Sequence, residues 1–392
     1  MDGLEELSKL SVYLKKEKGI EHIVQEILQQ PQVWQTTATI VGKYSGLVRD
    51  WISSWESADS EISIVVTGAG SSEFIGTSIS SILRKGFNRE VLCYPTTHFV
   101  THPDILFLSN RKYLVISFAR SGNSPESIFT FKHLQKCPLP VKQIVITCNR
   151  DGDLAKLSSD DANSLCVVLP DETNDKALAM TSSFSTMALM GIGLTFPPKS
   201  PEFERLTTNL CNCAKRILSV ESVKLLRLAQ LPFQRACYLG SNTLYGTMQE
   251  CSLKMQEMTV GKVVSIFNSF MGVRHGPLVF INDQCLVVAA LSSQPEVRKY
   301  ELDLLQQLKN NKQGCAVLTI CDRSDDIIMD LSTEVVELLP DDELVDEYRV
   351  LTDVIVGQIL AAGKSMELGL TPDNPSPEGI INRVVQGVKI YQ

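Results

Sequence analysis

The 392-residue sequence lacks most features of secreted, membrane and metal-binding proteins. It has five dispersed histidines and no Cys-x-x-Cys pair, so a zinc site would find few ligands. Its eleven cysteines are scattered and odd in number, which disfavours a disulfide framework and favours a reducing cytoplasm. No apolar run approaches the ~18 residues that a membrane helix needs. The first residues, MDGLEE, lack a basic segment followed by an apolar core, so we expect neither a signal peptide nor a membrane partner.

Positive charge is also scarce. Thirty-seven Lys and Arg residues against 45 Asp and Glu residues give a net charge of −8 and a pI near 5.3. This balance argues against nucleic acid as the main partner. A small anionic ligand is still compatible with it, because a few backbone amides can hold a phosphate without net positive charge. Apolar residues make up 44% of the chain and charged residues 21%, which indicates ordinary folded domains.

The pattern along the chain predicts an α/β fold with two tandem, doubly wound parallel sheets. Residues 1–60 have apolar positions at helical spacing and contain all three tryptophans, so we expect a helical extension there. Beyond it, buried strands alternate with polar loops and helices, which is typical of a parallel sheet covered on both faces. We expect a first domain at 61–198, a second at 199–365 and a tail at 366–392.

Internal repetition supports this division. Four pairs of like residues stand 172 positions apart: Gly68 with Gly240, Leu114 with Leu286, Ser121 with Ser293, and Thr147 with Thr319. Because four matching pairs at the same spacing are hard to obtain by chance, the sequence predicts an internal duplication. Open α/β sheets bind ligands beyond the carboxyl ends of their strands, so we expect the site in the loops that follow the strands.

The loop after the first predicted strand, Gly68–Glu73, matches part of a dinucleotide-binding fingerprint. Its two glycines fit, and Glu90 lies 20 residues beyond the second of them, near where a ribose-binding acid belongs. However, Glu73 stands in place of the third glycine and would repel a pyrophosphate. A tight turn, as in any doubly wound sheet, explains the loop equally well. Ser71 and Ser72 are its candidate ligands.

A second loop has the chemistry of a phosphate site. Its candidate ligands are Arg120, Ser121, Asn123 and Ser124. Ser124 is placed to cap the following helix, with Pro125 at the first helical position, and a capping serine needs no ligand. That interpretation does not explain why the other polar residues crowd the same turn. Hydroxyls, free amides and a helix N-terminus together suit a phosphate monoester, so the sequence favours phosphate binding here.

The strongest catalytic candidates lie on a predicted helix in the second half. At about 100° per residue, Glu250, Lys254 and Glu257 fall within an arc of about 60°, apart from the apolar stripe. A solvated face with a Glu-to-Lys pair is the plain alternative. His275, in a turn 18 residues after Glu257, favours catalysis. Two glutamates, a lysine and a histidine would suffice to open a sugar ring and move a proton between adjacent carbons, without metal or cofactor.

Several motifs resemble those of sugar isomerase (SIS) domain proteins, namely Gly68–Phe74, Ser121–Ser127 and Arg274–Pro277. Others look like those of the bacterial galactosamine-6-phosphate deaminase/isomerases, which are also called tagatose-6-phosphate ketose/aldose isomerases: Pro95–Thr97, Ala179–Ser183 and Asn382–Val388. The resemblance runs from about residue 30 to the C-terminus. It implies two SIS domains, a phosphosugar substrate, a homodimer or higher homo-oligomer with shared active sites, and a C-terminal tail over the active site.

The resemblance also implies roles for the catalytic candidates. Glu257 would be the base that moves a proton between C1 and C2 of the open-chain sugar. His275, donated by a neighbouring subunit, would open the ring. Glu250 and Lys254 would contact the open-chain sugar or orient the base.

For the binding candidates, the resemblance implies that phosphate is bound by Ser72, Ser121 and Ser124. The same cleft would be lined by Thr181 and Ser182. One position departs from the pattern of the related synthases, because Ala119 stands where they have a serine. Arg120 follows it, and its charge is therefore a candidate for a separate role.

The reaction implied is release of ammonia from galactosamine 6-phosphate to give tagatose 6-phosphate. The related synthases generate ammonia with an N-terminal cysteine and a glutaminase domain, whereas here only about 60 residues precede the first sheet and the first cysteine is Cys93. Three alternatives stay open: isomerisation without deamination, a non-catalytic phosphosugar sensor, and a nicotinamide dehydrogenase. A sensor needs the serine loops but neither Glu257 nor His275.

Overall fold

The computed structural model describes residues 3–55, 61–385 and 387–391. Within these ranges, four helices precede the first strand: α1 (Leu4–Lys9), α2 (Val12–Lys18), α3 (Ile23–Leu28) and α4 (Gln30–Trp55). They confirm the predicted helical extension over the described part of residues 1–60. Met1, Asp2 and residues 56–60 lie outside the described residues, as does Gln386 of the C-terminal motif.

In the first half, the described strands form a five-stranded parallel sheet in the order β2-β1-β3-β4-β5. The strands are β1 (Glu61–Thr67), β2 (Glu90–Cys93), β3 (Arg111–Ala119), β4 (Val141–Thr147) and β5 (Ser164–Val168). The helices after them are α5 (Ser71–Phe87), α6 (Thr96–Thr101), α7 (Pro125–Gln135), α8 (Asp153–Ser159) and α9 (Ser182–Gly193). Strands β1 and β3 are buried along most of their length, and their Ile- and Val-rich sequences are typical of strands covered on both faces.

A second five-stranded parallel sheet follows in the described part of the second half, in the order β10-β9-β8-β6-β7. Its strands are β6 (Arg235–Gly240), β7 (Val264–Asn268), β8 (Cys285–Ala290), β9 (Ala316–Cys321) and β10 (Glu334–Glu337). The helices of this half are α10 (Pro201–Arg216), α11 (Ser222–Leu228), α12 (Thr243–Met258), α13 (Pro295–Asn310), α14 (Asp326–Leu331) and α15 (Val350–Glu367). The predicted fold class, two doubly wound parallel sheets, is confirmed.

The two sheets share one strand order, and the residue pairs at the 172-residue offset fall in equivalent elements. Backbone geometry repeats as well. Gly70 before α5 and Asn242 before α12 have φ of 57° and 51°. A Cβ on Gly68 would lie 2.5 Å from the backbone of Ser72, and one on Gly240 would lie 2.5 Å from the backbone of Leu244, four residues on in each case. This shared strand-to-helix turn supports the internal duplication.

Contacts divide the chain into two compact units, each built from three chain segments. The first-sheet unit contains Gln32–Asp175, Ser182–Thr207 and Asn382–Gln392. The second-sheet unit contains Met1–Pro31, Lys176–Thr181 and Thr208–Ile381. The boundaries of these units differ from the consecutive ranges predicted from the sequence. The N-terminal helices and the C-terminal tail are each divided between the two units.

Long-range hydrogen bonds account for the assignment of the first helices to the second-sheet unit. The backbone nitrogen of Ile23, at the start of α3, donates to the carboxylate of Asp373 over 2.7 Å. Gln30 Nε2 donates to Gln358 Oε1 on α15 over 2.8 Å. Such pairings join residues more than 300 positions apart, and no local sequence pattern encodes them.

Two helices are buried around their whole circumference: α9, and α15 from Val350 to Ser365. Both are rich in small and apolar residues, as expected of helices inside a protein core. Among the described helices, none combines the length and the apolar character of a membrane-spanning segment. All eleven cysteines lie in the described part of the chain and are free thiols.

Candidate active site

Helix α12 presents the three charged candidates of the second half. Its predicted apolar stripe, which includes Met248, Cys251 and Met255, is fully buried. A Cβ on Gly357 of α15 would lie 2.4 Å from Cys251 Sγ, so α15 packs closely on this stripe. This close packing excludes water from the apolar side of α12. The charged side is shielded from water as well, since Lys254 is also buried.

Lys254 lies between two carboxylates. Its Nζ is 3.2 Å from Glu250 Oε1 and also donates a hydrogen bond to Glu257 Oε2. Burial alone would lower the pKa of Lys254, but the charges of Glu250 and Glu257 raise it above its ordinary value, so the lysine stays protonated. The side chains of Lys254 and Glu250 are 0% exposed, whereas that of Glu257 is 24% exposed. The solvated-face alternative is therefore wrong for Glu250 and Lys254.

His275 is exposed at the end of a 3-10 turn, Gly272–Arg274, in the second-sheet unit. Its backbone nitrogen donates to the oxygen of Gly272, and the next residue, Gly276, has φ 121°. Within the described residues, the imidazole has no hydrogen-bond or ion-pair partner, and none links it to Glu257. The turn therefore holds the backbone while leaving the ring accessible.

The environment of His275 differs in part from the prediction. The sequence predicts an exposed apolar loop at Phe267–Gly272, immediately before the turn that holds His275. In the structure, the first two residues of this segment end strand β7, and Phe270 belongs to the core. The apolar exposure comes from Met271, which is 49% exposed, and Val279, which is 87% exposed. An apolar surface beside His275 is thus present; Met271 belongs to the predicted loop, whereas Val279 lies outside it.

In the first-sheet unit, helix α5 begins at Ser71, immediately after Gly70. Ser71 and Ser72 are both buried, and the backbone nitrogen of Ser72 donates to Ala69 O over 3.2 Å. Burial raises the pKa of Glu73, although His98 partly offsets the effect. The raised pKa makes the neutral form of Glu73 easier to reach, which weakens the repulsion of an anion expected from the sequence.

The second polar loop follows β3 in the same unit. The backbone nitrogen of Asn123 donates to Ser121 Oγ over 3.3 Å, which folds the loop on itself. The side-chain oxygen of Asn123 accepts a 2.9 Å hydrogen bond from the nitrogen of Asp153, at the start of α8. Asn123 therefore has a structural partner that the sequence did not reveal.

Ser124 occupies the N-cap position of α7, as predicted, but its hydroxyl does not cap the helix. Its Oγ donates over 2.6 Å to Ser127 Oγ instead. The expectation of a side-chain cap is therefore wrong, and the N-terminal amides of α7 are left for other acceptors. A cavity of about 660 Å³ opens beside this loop, lined in part by Asn123, Lys132 and Lys136.

Arg120 is buried, and its guanidinium faces the C-terminal segment of the chain. Nη2 donates a 2.7 Å hydrogen bond to the backbone oxygen of Arg383. Ala119, which replaces the serine of the synthases, ends β3 and is also buried.

Thr181 and Ser182 are fully buried. The backbone oxygen of Thr181 accepts a hydrogen bond from Gln358 within the second-sheet unit. Ser182 Oγ donates to the carboxylate of Asp175 within the first-sheet unit. The structure thus gives both residues packing partners. Asp175 was missed from the sequence, where a lone aspartate in a loop carries no signal of its buried serine partners.

In the second sheet, the equivalent loops hold one of the chain's own carboxylates. Glu301 Oε1 accepts from Ser241 Oγ over 2.6 Å, and its Oε2 accepts from the nitrogen of Ser292 over 2.7 Å. Ser241 and Ser292 follow β6 and β8, as Ala69 and Arg120 follow β1 and β3. Glu301 is fully buried, so these donors already serve a carboxyl group of the chain itself.

The candidate residues therefore fall into two groups. The second-sheet unit holds Glu250, Lys254, Glu257, His275 and Thr181; the first-sheet unit holds Ser71, Ser72, Arg120, Ser121, Asn123, Ser124 and Ser182. Hydrogen bonds and ion pairs join the three α12 residues to one another. Over the described ranges, no group of three or more His, Cys, Asp or Glu side chains is arranged to hold a metal ion.

Comparison with known proteins agrees with this architecture. The SIS domain family model matches residues 58–192. The chain is 34% identical over 373 residues to the D-galactosamine-6-phosphate deaminase AgaS of Shewanella sp. strain ANA-3, covering 93% of this chain and 90% of the relative. It is 32% identical to the AgaS of Escherichia coli, with 94% of both chains covered. The crystal structure of an Escherichia coli tagatose-6-phosphate ketose/aldose isomerase superposes with a TM-score of 0.84 at 31% identity, covering 94% of this chain and 96% of that one.

Proposed function

The chain belongs to the SIS-domain family that includes the AgaS D-galactosamine-6-phosphate deaminases, and from that premise we propose that it converts galactosamine 6-phosphate and water to tagatose 6-phosphate and ammonia. The observation that carries the proposal is the buried Lys254 between Glu250 and Glu257. Relatives named as deaminases and as ketose/aldose isomerases support the same chemistry, since both reactions move a proton between C1 and C2.

The cost of the buried charges argues for catalysis. Taking an ammonium and a carboxylate out of water costs several kcal/mol per ion before their attraction is counted, so burial of such a group is weak evidence for stability. A protein that only senses a phosphosugar needs the serine loops but no such cluster. Glu257 keeps part of its surface exposed, which suits a base that meets a substrate.

In the proposed mechanism, the phosphate is bound by the hydroxyls of Ser72, Ser121 and Ser124. Backbone amides at the starts of α5 and α7 supply further donors, and a helix N-terminus favours an anion. Because Ser124 Oγ bonds another hydroxyl rather than the helix, it can turn toward a ligand at little cost. The carboxyl group of Glu301 occupies the equivalent second-sheet loops, which supports the first sheet as the phosphate side.

The proposed chemistry balances without a co-reactant other than water. His275 assists transfer of the proton between the C1 hydroxyl and the ring oxygen, which opens the ring. Glu257 then removes the proton from C2 and returns it to C1, while a proton passes from the C2 amine to the C1 oxygen, so that C1 carries a hydroxyl and C2 becomes an imine. Water adds to that carbon and ammonia leaves, which gives the ketose. Lys254 and Glu250 orient Glu257 and stabilise charge that develops on the open-chain sugar.

The proposal includes an active site shared between subunits of a homodimer or higher oligomer, in which His275 reaches the neighbouring subunit's site. Its support is the exposed ring of His275 together with the exposed apolar side chains of Met271 and Val279 beside it. Apolar groups clustered at the surface are typical of an interface. The cytoplasmic location expected from the cysteine usage belongs to the same proposal.

Product analysis tests the proposed reaction. The purified protein is incubated with galactosamine 6-phosphate or glucosamine 6-phosphate, and free ammonia and ketose phosphate are measured. We expect both products in equal amounts, with galactosamine 6-phosphate the better substrate. Glu257→Gln prepared in the same way controls for contaminating enzymes. Isomerisation of amine-free galactose 6-phosphate without ammonia from either amino sugar would favour the simple isomerase, and binding without turnover would favour the sensor.

A further inference from the structure

Arg120 begins the proposed phosphate loop, yet its guanidinium binds another part of the chain. The residue is 7% exposed, and Nη2 donates a 2.7 Å hydrogen bond to the backbone oxygen of Arg383. The two residues are 263 positions apart. The contact therefore joins the loop to the C-terminal segment, Asn382–Gln392, within the first-sheet unit.

Arg383 is itself anchored by its side chain. Its Nε donates over 2.6 Å to the backbone oxygen of Asp175, and Nη2 donates to the side-chain oxygen of Asn174. The carboxylate of Asp175 in turn accepts from Ser182 Oγ and from the nitrogen of Ser183 at the start of α9. A continuous set of hydrogen bonds thus links the phosphate loop, the C-terminal segment and α9.

The charges in this network lie close together. The pKa of the nearby Cys148 thiol is raised to about 12, chiefly by burial and less by the charge of Asp175, while a hydrogen bond with Thr173 and the charges of Arg120 and Arg383 act to lower it. Both guanidiniums therefore act on the same buried group. Like charges held near each other repel, and an anion bound beside them relieves that repulsion. We call the segment docked when it lies against Arg120 through the contact with Arg383. A phosphate in the loop would favour the docked state, and the docked state would favour phosphate binding to the same extent.

We propose that Arg120 is a positioning residue that holds the C-terminal segment at the phosphate loop and raises phosphosugar affinity through that segment rather than by binding the phosphate itself. The inference rests on the proposed phosphate site at Ser121 and Ser124. It assigns a function to Arg120, the residue that follows the departure from the synthase pattern at Ala119.

Docking of the segment is testable without turnover. Trypsin can cleave after Arg383 and Lys389, and mass spectrometry follows loss of the C-terminal piece. Arg120→Met should be cleaved about tenfold faster than wild type or more, because cleavage follows the population of the undocked state. Inorganic phosphate should slow cleavage of the wild type and leave Arg120→Met unaffected. The control is Arg150→Met, an exposed arginine of the same unit that pairs with Asp171 at the surface and should behave as wild type.

A double-mutant cycle separates the two possible routes of action. Chains ending at Ile381, with and without Arg120→Met, are compared with the full-length pair for KM and kcat on the phosphosugar. Loss of a charge-assisted hydrogen bond should raise KM about ten- to a hundredfold in full-length Arg120→Met, with kcat little changed, and should add nothing in the truncated chain. Arg120→Lys, which keeps a charged donor, should recover part of the affinity.

Three results would contradict the proposed role of Arg120. Equal effects of Arg120→Met in full-length and truncated chains would mean that Arg120 contacts the phosphate directly. Cleavage of Arg120→Met at the wild-type rate would show that the contact does not hold the segment. If the wild type turns over no phosphosugar, the proposed reaction fails, but trypsin protection by inorganic phosphate still decides this inference. Absence of that protection in the wild type would overturn it.

Discussion

Lys254 Nζ lies 3.2 Å from Glu250 Oε1 on α12, and neither side chain has exposed surface. The same ammonium bonds Glu257, one turn along the helix, whose side chain reaches solvent. One cation thus connects a carboxylate sealed in the core with a carboxylate open to ligands. Two glutamates of one helix acquire different environments in this way, and different environments permit different chemical roles.

Glu257→Gln should abolish turnover while leaving phosphosugar affinity nearly intact. The amide keeps the shape of the side chain but cannot take a proton, and a positioned general base contributes on the order of 10²–10⁴ in rate. Steady-state kinetics and a thermal shift with substrate measure the two effects. Retention of more than about a tenth of the wild-type kcat would remove Glu257 from the role of base.

Lys254→Met should destabilise the protein by about 3–5 kcal/mol at neutral pH, because it leaves the buried carboxylate of Glu250 without its cation. The loss should shrink as the pH falls, since protonation of the isolated carboxyl removes the uncompensated charge. Urea unfolding at neutral and acidic pH measures both effects.

The matched control is the double variant Glu250→Gln with Lys254→Met, which removes both buried charges. It should be more stable at neutral pH than Lys254→Met alone. A double variant that is less stable than Lys254→Met would mean that packing, and not the unpaired charge, determines the loss.

Ser121→Ala and Ser124→Ala should each weaken phosphosugar affinity about ten- to a hundredfold, the value of a hydrogen bond to a charged group. Ser124→Ala should cost little stability, because its hydroxyl bonds Ser127 and not the backbone of α7. Ser127→Ala is the matched control, since it removes the same hydroxyl pair without removing a proposed phosphate ligand. Equal loss of affinity in Ser124→Ala and Ser127→Ala would reduce Ser124 to a role in building the turn.

Glu257→Gln and His275→Ala should each be inactive alone and regain activity when unfolded and reassembled together. If His275 serves the partner's site, each mixed dimer has one site with both residues intact, so random mixing should restore about a quarter of the wild-type activity. Native mass spectrometry verifies that mixed dimers form. Mixed dimers that stay inactive would place His275 in the site of its own chain.

Glu301 should make the stability of the second sheet pH-dependent. Burial raises its pKa above the ordinary value, although hydrogen bonds from Ser241 and Ser292 partly offset this. The folded chain then binds a proton more tightly than the unfolded chain, so this contribution to stability is complete below the unfolded value of about 4.3 and is lost as the pH rises through the folded value. Urea unfolding should show wild type losing stability relative to Glu301→Gln over that window.

Glu296→Gln, a change at an exposed glutamate of the same helix, is the control for Glu301→Gln and should run parallel to wild type. Parallel pH curves for Glu301→Gln and wild type would contradict the assignment of the pH dependence to Glu301.

The fold, and the elements on which the candidate residues lie, were predictable because they depend on local patterns. Buried runs of β-branched residues followed by glycine-containing loops specify parallel strands and strand-to-helix turns wherever they occur. The duplication was visible because Gly68 and Gly240 meet the same steric demand in each half, a close approach to the helix four residues on. The arc of Glu250, Lys254 and Glu257 follows from helical geometry alone.

Tertiary structure decided which of these residues are buried and what they bind. Periodicity placed Lys254 on a polar face, but the packing of α15 and the rest of the second-sheet unit sealed it from water. Chain position made Ser124 an N-cap, yet its hydroxyl turned to Ser127. Arg120 found its partner in Arg383, 263 positions away. Burial and long-range hydrogen bonds depend on which elements pack against each other in the folded chain. A local sequence pattern does not specify that packing.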